Sequence, residues 1–261
     1  MTDHTRRRVL TVAGVAWAGL AAGCLDETNE PGSGSNDDDE TDTGGDDPNG
    51  DDEDGSDDSD ETTQTIDEAP RVDEPPYDIE RPDEPEDPEE DDWNEHYLGD
   101  GMADEPSLEF EVVPQVGLVE SALGGLYEDE EATGEYRIAL LESQRELTDV
   151  LDLELADDEV RETLESLEFT DRVVAVVESG WGSSSVYHQW VRAEDEGDHV
   201  HLHGYYTAPL VQTTDMASRH SVLVLERPDE LEFVRASLTV DEERRVHFNS
   251  TEGVVSVGES E

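Results

Sequence analysis

His199-Val200-His201-Leu202-His203 is the stretch whose residue types could do chemistry. Side chains at i, i+2 and i+4 of a strand share one face. Three imidazoles would then line up while Val200 and Leu202 face a core. Aligned imidazoles can ligate zinc or copper, and His188, His220 or His247 could add a ligand from across a sheet. The other reading is the solvent-facing polar side of an amphipathic strand. No spacing near the triplet fixes a fourth ligand, so the solvent-facing side is the expectation, with no cofactor.

A second candidate is Gly180-Trp181-Gly182-Ser183-Ser184-Ser185-Val186-Tyr187. Its glycines and serines read as a flexible loop, in which Trp181 and Tyr187 would form a binding loop, since exposed aromatics anchor interfaces. The alternative is a hairpin turn with Trp181 folded onto the core. Serines close to His188 suggest a nucleophile and a base, yet no Gly-x-Ser-x-Gly elbow is present. Asn249-Ser250-Thr251 is an N-glycosylation sequon. No residue set amounts to a catalytic site, so a non-enzyme is expected.

These residues need strands to hold them. Leu108, Phe110 and Val112 alternate with Glu109 and Glu111, the pattern of a half-buried strand. Tyr136–Leu141 is another. Ser143 and Glu146 form a capping box ahead of Leu147, Val150 and Leu151 at helical spacing. Val160, Leu164 and Leu167 mark a second amphipathic helix. The unbroken run Val173–Val177 reads as a central strand buried on both faces. Further strands are expected at Ser185–Arg192, His199–Tyr205, His220–Glu226, Phe233–Val240 and Arg244–Asn249. Short connections such as Ala193–Asp198 favour antiparallel hairpins. The fold class is α+β, mainly antiparallel β, as a sandwich or distorted barrel with one or two short helices. This domain is expected over residues 106–261.

Residues 24–105 read as a disordered acidic tether. The segment is low-complexity, with pieces such as Asp37-Asp38-Asp39-Glu40, and it carries eight of the twelve prolines. Such a composition buries too little apolar surface to offset chain entropy. The net charge of the chain is -58, all fifteen basic residues are arginine, and lysine is absent. Phosphate contacts need Lys and Arg, so nucleic-acid binding is excluded. A compact domain with this charge repels itself at low salt. At ionic strengths near 1 M the screening length falls to about 3 Å and the repulsion fades. The composition resembles that of haloarchaeal, extremely salt-adapted proteins.

The N-terminus carries an address. Arg6, Arg7 and Arg8 precede the short apolar run Val9–Leu20, which is too short to span a bilayer. A charged start, a short apolar centre and small residues describe a signal peptide, here residues 1–23. Thr5-Arg6-Arg7-Arg8-Val9-Leu10 resembles a twin-arginine export signal. Ala21-Ala22-Gly23-Cys24 resembles a lipobox, with Leu20 one residue earlier than the usual leucine. The resemblance implies lipidation at Cys24, the only cysteine, and a place on the outer face of the cell membrane. A lone cysteine also rules out an intramolecular disulfide.

The domain further resembles the C-terminal domain family of PrcB, a partner in a spirochaete protease complex. The residues that carry this are Ser143-Gln144-Arg145-Glu146-Leu147, Glu168-Phe169-Thr170-Asp171 before Val173–Val177, and the Gly180–Tyr187 stretch. The family's Gly-Gly-Tyr stands here as Ser185-Val186-Tyr187. The resemblance implies a non-enzymatic domain that binds or stabilises another extracytoplasmic protein.

Overall fold

A computed structural model describes residues 64–86, 93–124 and 134–258. Arg6, Arg7, Cys24 and the rest of residues 1–63 lie outside the described residues. The chain divides into Met1–Asp58 and Ser59–Glu261, and every element below belongs to the second unit. Among the described residues no helix is long and apolar enough to cross a membrane.

The strands are β1 (Val72–Asp73), β2 (Phe110–Val113), β3 (Gly117–Leu118), β4 (Glu135–Leu141), β5 (Leu151–Asp152) and β6 (Arg172–Ser183). They continue with β7 (His188–Asp195), β8 (His199–Tyr206), β9 (Met216–Glu226), β10 (Phe233–Thr239), β11 (Arg245–Asn249) and β12 (Val255–Ser256). Two helices, α1 (Gln144–Val150) and α2 (Asp158–Glu165), fall between β4 and β6. One five-stranded sheet has the order β1-β11-β10-β8-β7 and the other β12-β4-β6-β9-β2. All pairings are antiparallel except β8 with β10. The fold is thus an α+β sandwich dominated by antiparallel sheet.

The β-branched run of β6 explains the layering. Val173, Ala175 and Val177 face the first sheet, packing with Val200, Leu202, Ala236, Leu238 and Phe248. Val174 and Val176 point the other way, onto Leu147 of α1 and Leu164 of α2. All five residues of this run are fully buried, so the strand is apolar on both faces. The capping box forms: the Glu146 N–H donates to Ser143 Oγ at 3.3 Å, and the Glu146 carboxylate accepts from the Glu142 N–H at 2.7 Å.

The tether ends earlier than its composition suggests. Disorder is the expectation for residues 64–105, but β1 pairs with β11 and adds an edge to the first sheet. Tyr97 and Leu98 are core residues, and Trp93 Nε1 donates to the Ala208 carbonyl at 2.7 Å. Two acidic side chains here, Glu68 and Asp73, are held in ion pairs. Asp73 takes both Arg245 donors at 2.9 and 2.7 Å, Glu68 pairs with Arg235 at 2.7 Å, and Arg71 pairs with Glu252. A few well-placed apolar residues and these pairs fold a segment whose average composition is that of a linker.

Candidate functional site

Val200 and Leu202 face the core with no exposure, as the alternation requires. His199, His201 and His203 therefore share the opposite face. That face is not solvated: His201 is 8% exposed and His203 is 9% exposed. The expectation of a solvent-facing histidine side is corrected, and the cause is cross-strand packing. Glu194 of β7 sits opposite His201, and Arg235 of β10 flanks it on the other side. Arg192 and Ser237 flank His203 in the same way. Five adjacent strands of alternating polar residues thus cover one another.

The polar contacts run along this face in a row. Asp73 Oδ1 meets His247 Nε2 at 2.9 Å, and His247 Nδ1 meets Ser237 Oγ at 2.7 Å. Ser237 Oγ meets His201 Nε2 at 2.7 Å, and His201 Nδ1 meets Glu196 Oε1 at 2.9 Å. His203 Nε2 meets Glu194 at 3.1 Å. Burial pushes the His201 and His203 imidazoles down to about 3, with nearby cations adding to the effect. Burial also pushes His247 down, against the pull of Asp73. His247 does join the triplet from across the sheet, but through a serine hydroxyl. Among the described residues, no three His, Cys, Asp or Glu side chains converge as metal ligands. The metal reading of His199, His201 and His203 finds no site there.

The row from Asp73 to Glu196 can be counted in protons. Its four contacts need four hydrogens, and carboxylate ends only accept. Two neutral imidazoles and one hydroxyl supply three. The fourth arrives only when an imidazole takes up a proton, which burial defers to acid pH. Although Asp73, His247 and Ser237 share the residue types of a hydrolase triad, Ser237 is 1% exposed and lies mid-strand, out of reach of any substrate.

Asn249 is also placed differently from the expectation. It is fully buried, and its Nδ2 donates to the Ile66 carbonyl at 2.7 Å and to Glu68 at 2.8 Å. The folded domain leaves no room for a glycan on it. The sequon instead forms a local clamp, with Thr251 donating to Asn249 Oδ1 through N–H and O–H at 2.9 and 2.6 Å.

The Gly180–Tyr187 stretch lies at one end of the sandwich. Gly180–Ser183 is not a loop but the end of β6, carried past a β-bulge between Glu178 and Trp181. Gly180 supplies the positive φ of 76° there. Trp181 is half-buried, its Nε1 donating to the Gly124 carbonyl at 3.0 Å. Tyr187 is 43% exposed. The turn it sits on is tied to the segment 207–215: Ser183 Oγ donates to the Thr213 carbonyl at 2.9 Å, and Ser184 Oγ donates to Asp215 at 2.6 Å. The Tyr187 N–H donates to Thr207 Oγ1 at 3.0 Å.

No family model, curated protein or solved structure matches this chain. The chemistry of the site itself therefore carries the functional reading.

Trp181 and Val186 of this stretch line a cleft of about 320 Å³, together with Tyr136, Tyr206, Ser179, Arg219 and Arg244 among others. His188 is buried behind it, between Ser179 Oγ at 2.7 Å and Ser221 Oγ at 2.8 Å, and stacked on Tyr206. The serines beside His188 are thus Ser179 and Ser221 rather than the Ser183–Ser185 run. Burial pushes the His188 imidazole down to about 3, helped by the charges of Arg219 and His220. The imidazole is thereby made a weak base, and its second nitrogen meets a serine and not a carboxylate. Sequence reasoning missed Arg219, Tyr206 and Ser179, because single polar residues on a strand carry no spacing signal.

Proposed function

We propose that this chain is a lipid-anchored protein of the outer membrane face whose sandwich domain binds an extracytoplasmic partner protein without catalysing a reaction. The observation that carries the reading is the end of the domain around Tyr187. Three large apolar side chains, Tyr187, Val211 and Met216, are 43%, 72% and 50% exposed there. They stand on two segments cross-tied by hydrogen bonds, so their presentation is fixed before binding. Rigid apolar anchors beside a cleft are what an interface hot spot needs. The export signal, Cys24 and the resemblance to the PrcB domain family support the same reading. The weak base at His188 and the buried Ser237 favour a non-catalytic role.

Fractionation tests the anchor. Cys24→Ser is expected to move the protein from the membrane to the soluble fraction in high salt, and a variant that stays with the membrane contradicts the lipid anchor. Crosslinking from Tyr187 in intact membranes tests the binding end.

A further inference from the structure

We propose that the cleft is a carboxylate-binding site built on Arg219. This deepens the reading of that end as the recognition end and rests on it. The first observation is one of pairing. Every other arginine among the described residues lies within ion-pair distance of an Asp or Glu. Arg219 has no such partner among them. In a chain with 73 acidic and 15 basic residues, a cation without an acid is the exception.

The second observation is that the guanidinium is held in place. It lies over the Tyr206 ring, 5.3 Å from the centroid. Its Nε is buried with no hydrogen-bond partner. Beneath it is Gly182, where an added Cβ would overlap the guanidinium. The glycine thus provides the space in which the planar group lies against the strand.

The third observation is the cleft itself, which Arg219 lines together with Trp181 and Arg244. Arg244 is already engaged by Asp241 at 3.6 Å, so one positive charge is left to a ligand. A singly charged, planar carboxylate matches one guanidinium fork. A dianion would also meet Asp241 at the same site, on a protein already at -58. The volume, at the low end for ligand pockets, suits a side-chain-sized group with an apolar stem against Val186 and Val240. A small acid and a peptide side chain both offer this chemistry, and the probes below separate the two sources.

The test uses the full chain, solubilised in detergent at fixed high KCl, with binding read by calorimetry. The probes are hexanoate, hexanamide, and two blocked peptides that differ only in one Asp or Asn. Hexanoate or the Asp peptide should bind, and its amide counterpart should bind roughly 10–100-fold more weakly. Hexanoate alone assigns a small acid, and the Asp peptide assigns a protein carboxylate. Arg219→Gln should lose the preference for the acid, and Arg219→Lys should keep part of it. Gly182→Ala keeps the charge but displaces the guanidinium, so it should also weaken binding, with unfolding midpoints confirming that each variant is folded. Equal binding of acid and amide, or an Arg219→Gln variant that binds as the parent does, overturns the proposal. Loss of partner crosslinking from Tyr187 with probe binding intact would instead count against the partner-binding reading alone.

Discussion

His188 shows how burial turns a residue suited to chemistry into a structural one. Its native pKa is about 3, against an ordinary value near 6.5. Below pH 6.5 the unfolded chain takes a proton that the native site refuses, so stability falls as pH drops from 6.5 toward 3. The size is about 2 kcal/mol between pH 7.5 and 5. Denaturant unfolding at those two pH values, at fixed salt, should show a loss smaller by that amount in a folded His188→Asn variant. The row through Ser237 makes a second residue-scale prediction. His201 and His247 should both be neutral at pH 7, as read by ¹⁵N shifts, because burial holds both imidazoles down. A doubly protonated ring would show that completing the fourth contact outweighs burial. Little of this was legible in sequence. The alternation placed the histidines on one face, but which groups lie opposite them depends on register across five strands. The same holds for Asn249, whose sequon pattern is local while its burial comes from residues 66–68.

Among the elements, the legible ones are those whose signal is local. The Val173–Val177 run, the capping box at Ser143 and the strands from His199 to Asn249 were visible because periodicity and caps do not need partners. Other elements were not visible, the short strands β3, β5 and β12 among them. Gly180–Ser183 reads as a loop, yet pairing with β9 carries it on as strand past the bulge. The segment 64–105 reads as linker because acids and prolines outnumber its apolar residues, but Val72, Tyr97 and Leu98 fill places at the sheet edge and core. A fragment that begins at residue 106 should therefore fail to fold cooperatively, while one that begins at 59 should unfold in a single transition. Cooperative unfolding of the shorter fragment would show that β1 and Tyr97 are dispensable. Within the second sheet, Glu178 is 3% exposed and takes donors from Ser121, Ala122 and Arg137 at 2.8, 3.0 and 2.9 Å. Arg137→Ala leaves that buried carboxylate short of its cation and should cost about 3 kcal/mol in unfolding free energy.

For the whole molecule, the proposed working conditions rest on its charge and the proposed role rests on the end near Tyr187. A chain at -58 should gain stability steadily as KCl rises, because screening removes self-repulsion faster than it weakens the short, partly buried Arg–acid pairs. The same field should repel nucleic acids and other polyanions, and the cleft with Arg219 is the place proposed for a single carboxylate. The central claim is that the end carrying Tyr187 is a binding surface. The most direct test is site-specific photocrosslinking in intact membranes at high salt, with the probe at Tyr187 and, as control, at Leu155, which is 73% exposed on the helical side. The account predicts one discrete crosslinked protein from position 187 and none from 155, and the same products from both positions would contradict it.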